Sequence, residues 1–235
     1  MQELIFLDTE ATGNEPSKDR LCQVCYKTSR GVQIGYFKPS LPVSVKAMSI
    51  THITNKMLED KEPFANSVMK NDLQTLLKDG VLVAHNALFD IAMLKAEGVE
   101  VPRFICTLRL ARHLDQENKI PEYNLQFLRY FLDLEIDGHA HDAEGDVLVL
   151  EGVFNRLFAK MRETATSDEE VINRMIDISS QPTLFKYLNF GKYKGKSIAE
   201  VLETDRRYLE WLLAQKTNGE VDEDWVFTLN HYVKP

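Results

Sequence analysis

Short apolar runs alternate along the chain with longer stretches in which apolar residues return every three or four positions. Leu4-Ile5-Phe6-Leu7 and Val81-Leu82-Val83-Ala84 are four-residue apolar runs closed by polar residues, the pattern of strands buried on both faces. Residues 1–38 read as strands, with 21–28 and 32–37 flanking Ser29-Arg30-Gly31 as a hairpin. From Ser44 the pattern turns helical. It predicts a helix over 64–77, stopped by Gly80 before the second apolar run, a helix over 88–97 ended by Gly98, and one more strand over 103–106. Further on, the apolar spacing predicts helices over 124–132, 146–161, 171–178 and 205–215. Strands mixed with helices, a hairpin among them, predict an α/β fold in which helices flank a mixed sheet.

The polar stretch 162–170 marks a boundary, giving a first domain over 1–165, a linker and helix over 166–182, and a small α+β module over 183–235. Residues 183–198 contain Lys186, Lys192, Lys194 and Lys196 and no acid, interleaved with Phe185, Tyr187, Phe190 and Tyr193. That mixture suits backbone tracking and base stacking on nucleic acid, with Lys192 and Lys194 as candidate contacts. It suits equally a structural or protein-docking module. Trp211, at helical spacing, is expected in a core rather than as a stacking platform.

Composition changes the picture in three places. With 44% hydrophobic and 27% charged residues the chain has globular composition, and its longest apolar runs of four residues exclude a membrane helix. Asp8 and Glu10 interrupt the start too early for a secretory signal, and three cysteines suit a reducing cytoplasm, with Cys22 and Cys25 read as packing rather than a redox or zinc pair. The net charge of −8 disfavours a polyanion partner unless the carboxylates cluster and hold divalent cations.

The positions of the carboxylates therefore matter more than their number. At a strand period of two, Asp8 and Glu10 point to the same side, where they repel unless a cation lies between them. The pair is either a metal site or a solvated strand end. Acidic pairs at Asp60/Glu62, Asp168/Glu170 and Asp222/Asp224 lie in polar surroundings, whereas Asp8/Glu10 closes an apolar strand. Asp90 falls in the first turn of the helix after the second apolar strand, where it complements the helix dipole or joins the first pair at the sheet edge. His141 and Asp146 flank the start of the 146–161 helix. Both reach one site only if His141 precedes the helix and Asp146 lies within it; otherwise Asp142 or Asp146 caps the helix.

Taken in order, Leu7-Asp8-Thr9-Glu10-x-Thr12-Gly13, His85-Asn86-x-x-Phe89-Asp90 and His141-x4-Asp146 resemble the DnaQ-like (DEDDh) 3′→5′ exonuclease family over residues 1–161. The resemblance implies a ribonuclease H-like mixed sheet. It also implies Asp8, Glu10, Asp90 and Asp146 as ligands of two Mg2+ ions, with Mn2+ able to substitute, His141 as general base, and Thr9, Thr12 and Asn86 beside the substrate. The implied reaction removes nucleoside 5′-monophosphates from DNA, single-stranded or at the 3′ ends of duplex. The H-x4-D spacing recurs at His85/Asp90, so spacing alone does not choose the base. Phe190-Gly191-Lys192-Tyr193-Lys194-Gly195-Lys196, the Arg-Tyr-Leu-x-Trp-Leu stretch at 207–212, Ala47-Met48-Ser49-Ile50 and Ile53-Thr54 resemble one branch of the family and extend the likeness over most of the chain. Two positions depart from the pattern: Asn14 stands where the family has Leu, and Thr51 where it has His, with His52 one place later. The rival readings are an RNA-trimming exonuclease, a proofreading or end-trimming subunit docked to a polymerase or integrase through the C-terminal module, and a non-catalytic nucleic-acid-binding module. The intact carboxylate set favours an enzyme.

Overall fold

The computed structural model describes residues 2–117, 119–136, 143–218 and 223–234. Five strands form one mixed sheet: β1 (Leu4–Ala11), β2 (Leu21–Thr28), β3 (Gly31–Tyr36), β4 (Val81–Ala84) and β5 (Phe104–Cys106), in the order β3-β2-β1-β4-β5. β1, β2 and β3 are antiparallel neighbours, while β4 and β5 run parallel to β1. The apolar runs do what their composition demands. All four residues of β4 are fully buried, as are Ile5 and Leu7 to within 1% of exposure, because helices cover both faces. β3, at the sheet edge, keeps Gln33 and Ile34 exposed.

The register decides where the functional strand ends. β1 pairs with β4 only from Leu4↔Val81 to Phe6↔Val83, whereas its pairing with β2 continues to Ala11. Asp8 and Glu10 therefore lie on a stretch of β1 that outruns its parallel neighbour, and a register shift follows at Glu10/Ala11.

Seven helices belong to the same unit: α1 (Val45–Thr51), α2 (Val68–Asp79), α3 (Ala87–Ala96), α4 (Thr107–Leu114), whose last turn passes out of it, α5 (Leu125–Phe131), α6 (Ala143–Arg162) and α7 (Asp168–Ser179). The helix expected over 64–77 is divided. Phe64–Asn66 forms a 3-10 turn, and Ser67 adopts an extended conformation from which its Oγ accepts the Lys70 amide at 3.1 Å, so α2 starts afresh there. α6 packs on β1 and β2, and α7 on β5 and α6. The helix expected within 166–182 is present as α7 and belongs to the first unit. Ser179 ties its end down, accepting the Cys106 amide on Oγ and the Arg109 guanidinium on its carbonyl, each at 2.8 Å.

The chain divides into two compact units, Met1–Ala111 with Glu122–Ser179, and Arg112–Pro121 with Ser180–Pro235. The second unit contains α8 (Ile198–Asn218) and α9 (Glu223–Val233) around Leu188, Ile198, Val201, Leu209, Leu212, Trp225 and Leu229. Its extended part is a single antiparallel bridge, Tyr187↔Ser197. α8 is broken at Asp205 (φ −151°, ψ 65°), whose Oδ1 accepts the Tyr208 amide at 3.2 Å and caps the half predicted over 205–215. Asp224, 4% exposed, accepts from Arg112 at 2.5 Å and from the Thr183 amide at 2.9 Å, joining the two pieces of chain that make this unit. No helix among the described residues is long and apolar enough to cross a membrane.

Gly80 links α2 to β4 where backbone and side chains crowd. A Cβ there would lie 2.3 Å from Ile5 Cδ1 and 2.7 Å from the Leu76 carbonyl oxygen. Gly80→Ala is expected to lower unfolding free energy by about 1–3 kcal/mol, read as a falling melting temperature, because the clash involves backbone that cannot rotate away. An unchanged melting temperature would contradict that packing.

Candidate active site

Each carboxylate of the candidate set sits where an apolar residue would be expected. On β1, Asp8 and Glu10 are half-buried and follow directly on Ile5-Phe6-Leu7. On α3, Asp90 shares a helical face with Ala87, Met93 and Leu94, all fully buried, and is itself 5% exposed. On α6, Asp146 lies in the first turn, 9% exposed, on the face that carries Leu150, Val153 and Leu157 inward. α3 starts directly behind β4 because Asn86 takes the left-handed conformation (φ 61°), which asparagine tolerates better than most residues. Asn86 is exposed at that helix start.

Electrostatics ties the four together. Asp8 is pushed well above the usual carboxylate range by burial and then by the negative charges of Asp90, Glu10 and Asp146. Glu10 is raised to about 7 by burial and by Asp146. Asp90 is raised to about 7, with burial the main cause and Glu10 contributing, even though hydrogen bonds from Thr9 work in the opposite direction. Acids whose charge reaches one another in this way lie close enough together to interact. Perturbed groups of this kind mark functional sites more often than structural ones.

Surrounding polar groups hold the set. Thr9 is buried and donates its hydroxyl to Asp90 Oδ1 at 2.7 Å. Gln126 on α5 donates Nε2 to Asp146 Oδ1 at 2.5 Å, and its own Oε1 is buried without a hydrogen bond. Sequence reading passed over Gln126, since a lone glutamine in an amphipathic helix carries no signal. Thr12, 1% exposed, donates to Asp19 Oδ1 at 2.8 Å and accepts the Arg20 amide at 3.1 Å, so its hydroxyl organises the turn behind Glu10. Gly13 is needed there, because a Cβ would fall 2.6–2.8 Å from the Asp19 carboxylate.

His85 is fixed by the fold. Its Nε2 lies 2.7 Å from the Tyr123 carbonyl, which can only accept, and its Nδ1 lies 2.9 Å from Thr107 Oγ1. With both ring nitrogens held by protein, His85 is poorly placed to take a proton from water. His141 and its neighbours 137–142 lie outside the described residues. The two departures from the family pattern also find their places. Asn14 is exposed, and Thr51 is buried, donating to the Ala47 carbonyl at 3.1 Å and accepting the Ile53 amide at 3.2 Å, while His52 is exposed at a left-handed helix end. Cys22, Cys25 and Cys106 are buried free thiols.

Among the described residues, no three His, Cys, Asp or Glu side chains form a ready-made cage for an ion. The donor set itself is all carboxylate oxygen, which suits hard divalent cations, and its mutual repulsion is of the sort that a cation relieves. In the second unit, Lys192 and Lys194 are both exposed, and Lys192 donates to Asp205 at 2.7 Å. Trp211, expected in the core, is 55% exposed: the helical period places Leu209, Leu212 and Leu213 inward and leaves Trp211 on the outer face.

Comparison with known proteins identifies the family of the chain. An exonuclease family model matches residues 5–154, which include Asp8, Glu10, Asp90 and Asp146. The chain belongs to the DnaQ-like 3′→5′ exonuclease family. An exodeoxyribonuclease X-like C-terminal model matches residues 188–216 of this exonuclease. Exodeoxyribonuclease 10 of Escherichia coli K12 is 31% identical over 199 residues, covering 84% of this chain and 82% of that one. The PolC-type DNA polymerase III of Caldanaerobacter subterraneus subsp. tengcongensis is 28% identical over 216 residues, 85% of this chain but 15% of that much longer protein. Among solved structures, exonuclease X in complex with 5′ overhanging duplex DNA superposes with a TM-score of 0.58 at 26% identity, covering 76% of this chain and 99% of that one.

The raised carboxyls set a pH dependence for this exonuclease. Glu10 and Asp90 bind protons more tightly when folded (about 7) than at their ordinary values of 4.5 and 3.8. Their contribution to stability is therefore full below about pH 4 and is lost as pH rises through about 7. In chelator, Asp8→Asn is expected to melt higher than the parent at pH 8 and to show a shallower loss between pH 4 and pH 8. Superimposable melting profiles would show that the carboxylates do not repel one another.

Proposed function

We propose that this exonuclease hydrolyses the terminal phosphodiester at DNA 3′ ends and releases nucleoside 5′-monophosphates. In this reading Asp8, Glu10, Asp90 and Asp146 hold two Mg2+ ions, with Mn2+ able to substitute, and His141 is the general base. The observation that carries the reading is that burial and neighbouring acid charge, that of Asp146 included, raise the proton affinity of Asp8, Glu10 and Asp90 at the end of a buried sheet. When bound, the ions supply positive charge for the scissile phosphate, the attacking water and the departing oxygen.

The residues of the chain divide the remaining work. Thr9 orients Asp90 through its hydroxyl, and Gln126 does the same for Asp146, so two of the four carboxylates are held in fixed rotamers before substrate arrives. Asn86, exposed at the start of α3, is available to a nucleotide, and the α3 N-terminus favours an anionic group. Asp146 lies in the first turn of α6, as the reading requires, and His141 stands five positions before it in the sequence. A neutral imidazole takes the proton of the attacking water, a task worth roughly 10²–10⁴-fold in rate.

DNA as the substrate is supported by the name of exodeoxyribonuclease 10 and by the overhanging duplex bound to exonuclease X. Single strands and the 3′ ends of duplexes are the forms proposed, and the cytoplasm is the proposed compartment, in keeping with three free thiols. The likeness to a PolC-type polymerase favours a second reading, proofreading or end trimming beside a polymerase.

Incubating 3′-labelled and 5′-labelled DNA and RNA strands with the protein, with and without Mg2+, tests the proposal. Mononucleotides released stepwise from the DNA 3′ end, only with the ion, are expected. Preference for RNA or cleavage from the 5′ end would overturn the substrate assignment. His141→Ala is expected to lose about 10²–10⁴-fold in turnover while Mn2+ binding, read by calorimetry, survives. Turnover like that of the parent would remove His141 from the mechanism.

A further inference from the structure

A series of aromatic rings in the second unit takes no part in the hydrolytic site. Tyr193 meets Tyr208 edge to face with ring centroids 5.0 Å apart, and Tyr208 meets Trp211 at 5.7 Å with the planes inclined by 35°. The two tryptophans of the chain have opposite surroundings. Trp225 is 4% exposed and packed between Phe185 and Phe190 at 4.5 and 4.9 Å, whereas Trp211 has 55% of its surface in water. Trp211 is therefore a surface ring rather than a core one, and it stands beside two further aromatic rings.

Cations accompany the rings. Lys192 Nζ stands 4.6 Å from the Tyr193 centroid and 5.2 Å from that of Tyr208, while also donating to Asp205. Lys194, in the same turn, and Arg207, four residues before Trp211 on α8, are exposed, and no side-chain hydrogen bond or ion pair engages either among the described residues. Arg207 and Trp211 share a helix face by that spacing, as do Tyr208 and Trp211. The lysine turn is built to lie against the rings. Gly191 has φ 70°, and a Cβ there would sit 2.4 Å from Tyr208 Oη; Gly195 at φ 85° closes the turn. Residues 183–198 carry four lysines and no acid in a chain of net charge −8.

We propose that this surface binds an unpaired DNA strand, with a base stacked on Trp211, Tyr208 and Tyr193 backing it, and phosphates meeting Lys194 and Arg207. An exposed aromatic ring beside exposed cations fits bases joined by phosphates, and fits any base sequence. The choice of DNA rests on the nuclease reading above; the strand-binding chemistry does not. An acidic protein would satisfy the cations and leave the aromatic series without a role.

Because Trp225 is buried, quenching of the red-shifted part of the tryptophan emission by an added strand reports on Trp211, and Trp211→Phe supplies the Trp225-only baseline. Full-length protein in EDTA is titrated with a short oligothymidylate, a blunt duplex and poly-glutamate. Saturable quenching by the oligothymidylate alone is expected. By anisotropy with the labelled strand, Trp211→Ala is expected to weaken binding about tenfold, within the roughly 1–3 kcal/mol that one stacked base contributes, while Trp211→Phe keeps most of the affinity. Lys194→Ala with Arg207→Ala should lower the slope of log affinity against log salt by about 1.4, at roughly 0.7 per phosphate contact on a single strand. Equal quenching by blunt duplex or poly-glutamate, or parental affinity in Trp211→Ala, overturns the proposal. Hydrolysis of a p-nitrophenyl ester of thymidine 5′-phosphate by the parent protein, assayed separately with Mg2+ in place of EDTA, separates the two readings. Its absence alongside strand quenching removes the nuclease reading and leaves this one. Its presence without quenching removes only this one.

Discussion

Like charges held out of water are the constraint around which the first unit is organised. A carboxylate on a buried helix face or at the end of a buried strand gives up hydration and gains nothing from its neighbours when they are carboxylates too. Asp8, Glu10, Asp90 and Asp146 come from three separate elements, so no local preference brings them together. The packing of α3 and α6 on the sheet does, and the hydrophobic residues interleaved with the acids supply the driving force. Met93 and Leu94 drag Asp90 inward; Leu150, Val153 and Leu157 do so for Asp146.

The mixed sheet makes this possible in a way a uniform one would not. An antiparallel partner on one side lets β1 run on to Ala11, while the parallel partner on the other stops pairing at Phe6. The acidic end of β1 is thus supported by hydrogen bonds on one edge and left accessible on the other. α3 begins where β4 ends, at the carboxyl end of the parallel strands, the usual place for a site in sheets of this kind. Thr9 and Gln126 then lock two carboxylates, and the Thr12–Asp19 contact steadies the turn beyond Glu10.

The elements with strong internal patterns were legible before any coordinates. β4 came from four apolar residues between Gly80 and the polar pair His85-Asn86, and the carboxylates of β1 from their alternation after an apolar run. What the pattern hid was decided by single side chains or by distant packing. Ser67 cut a helix in two by capping it. α4 follows β5 with little to announce it, and α9 lies in a stretch whose period is weak. Trp211 was misplaced because helical spacing gives a face but not which face is inward; Leu209, Leu212 and Leu213 decided that. Gln126 became visible only through its contact with Asp146. The expected first domain ends at 165 and the first compact unit at Ser179, because polarity marks exposure of a segment, and α7 is amphipathic enough to pack on β5 despite its acidic first turn.

The second unit is not a simple appendix. Residues 112–121 leave the first unit, contribute to the second, and return before α5, so the two are threaded through each other along the chain. Removing everything after Ser179 would strip Arg112 of the carboxylate of Asp224, 112 positions later, and leave the outgoing segment exposed. During synthesis on a ribosome, Arg112 must wait until nearly the whole polypeptide has emerged before its partner exists. The excursion at 112–121 therefore makes the second unit depend on two stretches of chain made far apart in time, and a boundary drawn by sequence order alone would cut through a finished structure.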